Sequence, residues 1–228
     1  MKIFIDSAKI NEIEKWINAG IADGVTTNPS IMYRDNIQDI KKGTIEIAKL
    51  INPRPLSVEV TTNDIKEMIE QAKEFSAWAQ NIVIKIPVIN QFGVPCLEVI
   101  KKLNDKNIKV NATALLSIGQ VVLCAKAGAT YVSIFAGRIG DEGGNAKYVI
   151  SESRKWLDLW NYKSEIIVGS MRTIIDIQEA IVSGAHILTI PPALIEKMCD
   201  HKYTRETVKQ FIDDANKTLE KMKKKINS

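Results

Sequence analysis

"NIVIKIPV", residues 81–88, sets one lysine inside an otherwise apolar run. The run is rich in Ile and Val and ends near a proline, which cannot donate to a central ladder, so it reads as a strand finishing around Pro87. Residues two apart on a strand share a side, which groups Lys85 with Val83 and Pro87. The lysine either snorkels past the strand end to solvent or holds its amine in an apolar cage. Its neighbours along the chain decide which reading has company.

Runs of the same character recur with helical segments between them. "KIFID" (2–6) leads into "SAKINEIEKWINAG", where Ile10, Ile13 and Ile17 mark one face and Gly20 the stop. "GVTTN" (24–28) is followed by Pro29 and a helix over 36–51, and "PLSVEV" (55–60) by a helix that opens on "TTND". After the fourth run come "KVNATAL" (109–115), "YVSIFAGR" (131–138), "SEIIVGS" (164–170) and "HILTIPP" (186–192). A short helix near 193–198 and a long one from 204 finish the chain. Eight βα units of about 28 residues predict a single α/β domain over 1–228, a (β/α)8 TIM barrel, with 204–228 as an additional C-terminal helical extension. The runs are continuously apolar, as strands covered by helices should be. A doubly wound sheet would carry a glycine-rich loop after its first strand, and "FIDSAKI" is not one.

Composition narrows the classes. Hydrophobic residues at 45% and charged residues at 25% fit a globular chain rather than a disordered one. No apolar stretch approaches the roughly 20 residues of a membrane span, and "MKIFID" breaks at Asp6 before any signal-peptide core, so a cytoplasmic protein without membrane contact is expected. Three cysteines without CxxC spacing read as reduced apolar fillers. Two histidines outside any ligand pattern speak against an imidazole-built metal centre, and no metal is expected. Part of the +4 net charge sits in the tail "KTLEKMKKKINS", a solvated helix end, and no nucleic-acid motif or partner is indicated.

Active sites of such barrels gather at the C-terminal strand ends. Late in each run stand Asp6; Thr26, Thr27 and Asn28; Glu59; Lys85; Asn111 and Thr113; Ser133 and Arg138; Ser170, with Arg172 just beyond. Each alone has an ordinary explanation: a cap or turn former for Asp or Thr, a salt bridge to Asp141 or Glu142 for Arg138. Together they make a ring at one mouth. Burial favours a neutral amine, while carboxylates such as Asp6 and Glu59 pull the other way. A neutral lysine adds to carbonyls, and the resulting iminium is an electron sink that stabilises a neighbouring carbanion. Arg138, Arg172 and Ser170 suit one phosphate group, and Asn28, Asn111, Thr113 and Ser133 suit hydroxyls, which points to a sugar phosphate.

These residues in this order resemble the transaldolase family, in its short form close to fructose-6-phosphate aldolase. The resemblance spans the chain through "DGVTTNPS" (23–30), "SVEV" (57–60), "IVIKIPV" (82–88), "KVNATALLSIGQ" (109–120), "AKAGATYVSIFAGRI" (125–139), "IIVGSMRT" (166–173) and "GAHILTIPP" (184–192). It implies cofactor-free aldol transfer in the pentose phosphate pathway, with Lys85 forming the Schiff base and Asp6 taking the proton from the C4 hydroxyl. Glu59 and Thr113 match the pair that positions a water. Thr26, Asn28, Asn111 and Ser133 match the donor contacts, and Arg138, Ser170 and Arg172 the phosphate site. The aldolases carry Gln where Glu59 stands and Tyr where Phe135 stands, so the resemblance implies transfer rather than release of free dihydroxyacetone. A sugar-phosphate-binding barrel without catalysis is the remaining alternative. Ile134 and Ala136 depart from the usual proline and valine. Short members are homo-oligomers, typically decamers, and the same is expected here.

Overall fold

Each apolar run becomes a strand because both its faces can be covered, and in the computed structural model all eight close on one another. The structure describes residues 1–226, with side chains to 224; the ends of the expected 204–228 extension and of "KTLEKMKKKINS" fall at 227 and 228, outside the described residues. The strands are β1 (Lys2–Asp6), β2 (Gly24–Thr26), β3 (Leu56–Glu59), β4 (Ile82–Pro87), β5 (Val110–Leu115), β6 (Tyr131–Phe135), β7 (Glu165–Gly169) and β8 (Ile187–Ile190). They pair in parallel in chain order, and β8 returns to β1, giving a closed (β/α)8 barrel.

The helices are α1 (Ile10–Asn18), α2 (Pro29–Arg34), α3 (Ile40–Ile51), α4 (Ile65–Ser76), α5 (Leu97–Asn104) and α6 (Ile118–Lys126). After β6 come α7 (Ala136–Asp141), α8 (Ala146–Leu159), α9 (Ile174–Val182), α10 (Pro192–Cys199) and α11 (Lys202–Ile226). Short polar side chains cap many of them. Asp39, Asp64, Ser117 and Asn145 each accept a backbone N–H of the first turn, and Thr173 with Asp176 forms a reciprocal capping box. Such a cap is worth about 1 kcal/mol. The apolar stripes then turn inward: Ile13 and Trp16 on α1, Met68, Ala72 and Phe75 on α4, Val99, Ile100 and Leu103 on α5.

Two expectations shift. The helix drawn over 36–51 starts at Ile40, and a separate α2 precedes it because Asn28 and Pro29 supply a cap and a first helical residue at once. "YVSIFAGR" stops being strand at Phe135, so Arg138 lies on α7 rather than on the sixth strand. Of the cysteines, Cys96 and Cys124 are buried fillers, whereas Cys199 is exposed.

The chain divides into two compact units, Met1–Pro192 and the residues from Ala193 on. The second unit carries α11, on which Val208, Phe211, Ile212, Leu219 and Met222 are all exposed. Inside the barrel, Phe4, Val83, Tyr131, Ile167 and Ile187 make one buried apolar cluster. The residues two further along those strands are Asp6, Lys85, Ser133, Gly169 and Thr189. With a period of two, the layer above the apolar floor is the polar one.

Candidate active site

Glu59, Lys85 and Asn111 sit side by side on β3, β4 and β5, as register partners across two parallel ladders. Lys85 is 5% exposed, so it does not snorkel. Its Nζ lies 3.2 Å from Glu59 Oε2 and donates to the Thr27 carbonyl at 3.1 Å. The ammonium is costly to bury, and a carboxylate plus a carbonyl is the compensation such a site requires.

Asp6 closes β1 in register with Thr26, whose hydroxyl donates to Asp6 Oδ1 at 2.7 Å. Burial raises the Asp6 carboxyl above its ordinary value, while the Thr26 hydrogen bond, Lys85 and Arg34 hold it back and Asp35 adds to the rise. A carboxylate so placed is a stronger base than one in water. Thr113 is the register partner of Pro87 and is buried, yet its hydroxyl has no hydrogen-bond partner among the described residues. The Thr44 and Ser153 hydroxyls are buried in the same state, so what distinguishes Thr113 is its position, two residues beyond Asn111 on β5.

The hydroxyl-binding candidates are wired together. Ser133 donates to Asn111 Oδ1 at 2.7 Å, and Asn111 Nδ2 donates to Ser57 Oγ at 3.1 Å. Asn28 caps α2, its Oδ1 accepting the Ile31 N–H at 2.8 Å, which leaves the amide hydrogens for another partner. Phe135 ends β6, half-buried, two residues beyond Ser133 and on the same side of the strand.

Arg138, Ser170 and Arg172 meet at the rim. Ser170 has a left-handed backbone (φ +58°), and its carbonyl accepts the Gly137 N–H at 3.1 Å. Arg172 pairs with Asp141 through both ends of its fork, one of them Nη2 to Oδ2 at 2.5 Å, and Arg138 Nη1 stands 3.7 Å from the same Oδ2. The alternative partner foreseen for Arg138 is therefore real, but Asp141 pairs more closely with Arg172. Both arginines are exposed, so their pairing with Asp141 contributes little to stability.

A sequence profile described as transaldolase/fructose-6-phosphate aldolase matches residues 3–227. The chain belongs to that family. A probable transaldolase of Lactiplantibacillus plantarum is 39% identical over 214 residues, 94% of this chain and 96% of the relative. A probable transaldolase of Streptococcus equi subsp. zooepidemicus is 38% identical over 214 residues, 94% and 97% of the two chains. Kinship of this extent makes it an enzyme of the transaldolase type. More distant solved structures share the fold alone. The BexX/CysO complex of Amycolatopsis orientalis contains a chain with a TM-score of 0.59 at 15% identity, covering 85% of this chain and 81% of that one. Thiamine phosphate pyrophosphorylase from Pyrococcus furiosus gives 0.56 at 9% identity, with 83% and 85% covered.

Set against this family, the site holds residues that the strand-end reading passed over. Ser57 is buried and orients Asn111, and its spacing of two before Glu59 was the available signal. Thr189 pairs with Thr26 from the eighth strand, and nothing local in "HILTIPP" sets that threonine apart from an ordinary strand former. Thr27 contributes its carbonyl, which side-chain identity cannot announce. Among the described residues no group of three or more His, Cys, Asp or Glu side chains could hold a metal ion, and no helix is long and apolar enough to cross a membrane.

Proposed function

We propose that the chain moves a dihydroxyacetone unit from a ketose phosphate, fructose 6-phosphate or sedoheptulose 7-phosphate, to an aldose phosphate, erythrose 4-phosphate or glyceraldehyde 3-phosphate. The observation that carries this reading is the buried Lys85 amine with Glu59 at 3.2 Å, inside a barrel whose family is transaldolase/fructose-6-phosphate aldolase. The Lys85 nitrogen, once neutral, adds to the C2 carbonyl, and loss of water gives an iminium. Asp6 takes the C4 hydroxyl proton, the C3–C4 bond breaks, and its electron pair moves into the iminium to give an enamine. The aldose phosphate leaves. The enamine then attacks the acceptor carbonyl, Asp6 returns its proton to the new alkoxide, and water releases the product from Lys85.

Glu59 and Thr113 hold the water used in imine formation and hydrolysis, in keeping with the unpartnered Thr113 hydroxyl. Thr26 steadies Asp6, while Asn28, Asn111 and Ser133 bind the donor hydroxyls. Arg138, Ser170 and Arg172 bind the phosphate, and Phe135, lacking an acidic proton, leaves the enamine intact for transfer. The iminium is itself the electron sink, so the proposed steps call for no cofactor. Homo-oligomeric assembly and a cytoplasmic setting belong to the same proposal; the exposed apolar residues of α11 support the first.

Incubation with fructose 6-phosphate and erythrose 4-phosphate should yield sedoheptulose 7-phosphate and glyceraldehyde 3-phosphate. Borohydride reduction with substrate present should leave a mass adduct on Lys85. An adduct with free dihydroxyacetone but no transfer would mark the sister aldolase. Ligand-dependent stabilisation without any adduct would mark a binding protein.

A further inference from the structure

Thr189 lies on β8 as the register partner of Phe4, and is 7% exposed. Its hydroxyl is hydrogen-bonded to that of Thr26, which reaches Asp6 Oδ1 at 2.7 Å. The chemistry of the chain's end fixes its direction. An ionised carboxylate only accepts, so Thr26 gives its single hydrogen to Asp6, and the hydrogen between the two hydroxyls comes from Thr189. Two hydroxyls in series thus end on the carboxylate, and each bond polarises the next.

The far side of Thr189 is shaped as well. A Cβ at Gly169 of β7 would stand 2.9 Å from Thr189 Cγ2, closer than side chains tolerate. The glycine therefore leaves the space its neighbour's methyl needs, in the rotamer that presents the hydroxyl to Thr26.

We propose that Thr189 is a positioning residue for the aldol step, holding the Thr26 hydroxyl and through it the Asp6 carboxylate. The inference rests on the reading of Asp6 as the base. The charged groups that act on Asp6 are Lys85 from β4, and Arg34 and Asp35 from the end of α2. All three remain in a Thr189 variant, so a change in pH dependence would belong to the hydroxyl.

Thr189→Val keeps the volume and the branch and removes only the hydroxyl. With the chain shortened, ionised Asp6 loses support, and the acidic limb of kcat should move to higher pH by about half a unit. The plateau kcat for transfer from fructose 6-phosphate should fall about tenfold, the effect of one lost hydrogen bond, with KM changed less than about twofold. Thr189→Ser should restore both. Gly169→Ala, which presses on the methyl, should shift the limb in the same direction. Borohydride trapping on Lys85 should be unchanged in Thr189→Val, since the imine forms before Asp6 acts.

A Thr189→Val enzyme with the wild-type pH profile, or one that loses only thermal stability, overturns the proposal. So does loss of the Lys85 adduct, which would move Thr189 to an earlier step. Asp6→Asn separates the two levels. If Asp6→Asn retains full transfer, the reading of Asp6 falls and takes the inference with it. If Asp6→Asn is inactive and Thr189→Val behaves as wild type, the inference alone falls.

Discussion

Glu59 Oε2 stands 3.2 Å from Lys85 Nζ, and the two residues are direct partners across the β3–β4 ladder. The pair is held by backbone register rather than by loop chance. Lys85→Met should abolish transfer, a loss above about a thousandfold, because no other group at this level can form the imine. Removing one partner of a buried ion pair leaves the other charge uncompensated, so Lys85→Met should also lower Tm, though less than for a fully enclosed pair because Glu59 keeps some contact with solvent. The adduct readout keeps the test specific: loss of transfer and of the borohydride adduct in a variant that still unfolds cooperatively. An adduct surviving in Lys85→Met would place the imine elsewhere.

The resemblance implies Gln at the position of Glu59 and Tyr at that of Phe135 in the aldolases of the family. Glu59→Gln with Phe135→Tyr should raise the share of free dihydroxyacetone among the products of fructose 6-phosphate, read by a coupled assay with and without erythrose 4-phosphate. On the proposed mechanism the phenol would supply the proton that Phe135 lacks and quench the enamine before it meets an acceptor. An unchanged product ratio would remove these two residues from the account of transfer.

Gly137 packs closely against Ser170 and Arg172, two of the residues proposed to bind the phosphate. A Cβ there would lie 2.1 Å from the Ser170 carbonyl oxygen and 3.1 Å from Arg172 Nε and from Ser170 Oγ. Gly137→Ala must displace Ser170 and Arg172, at a cost of about 1–3 kcal/mol in stability. KM for fructose 6-phosphate should rise about tenfold while kcat at saturation changes little, the pattern of a lost ground-state contact. A normal KM would detach this corner from the phosphate.

His186 should add an acid-side dependence to the stability of the fold. Its Nδ1 accepts the Ile166 N–H of β7 at 3.0 Å. Burial lowers its pKa, with Arg154 acting in the same direction and Glu165 in the other. Below the ordinary histidine pKa of about 6.5 the unfolded chain therefore binds more protons, and stability falls as pH drops. Asp6, whose pKa is raised, contributes with the opposite sign. The informative quantity is thus the difference between wild type and His186→Asn, whose amide oxygen can take the same N–H. The variant's Tm should depend less on pH between about 7.5 and 5.5. Parallel curves would contradict the assignment.

How far the sequence alone carried depends on where each residue's meaning resides. Lys85 was legible because strand period and Pro87 together gave its side and its depth. Arg138 was misplaced because nothing in "YVSIFAGR" tells a strand continuing through Ala136 and Gly137 from a helix beginning there. Gly137 donates its N–H to the Ser170 carbonyl, a long-range contact that the local pattern does not carry. Asp141 was named as a partner for Arg138, yet its closer contact is with Arg172, 31 residues away and on another element. Ser57 and Thr189 speak through the partners of their hydroxyls, and those partners come from other strands. Local pattern gives the face a side chain occupies; closure of the barrel gives the company it keeps.

The apolar floor of Phe4, Val83, Tyr131, Ile167 and Ile187 has a consequence for the order of events. It fills the barrel one layer beneath Lys85. On the proposed mechanism, the departing aldehyde would then leave by the same mouth through which the acceptor enters. Double-displacement kinetics in the transfer assay is the outcome that this arrangement of five buried side chains predicts.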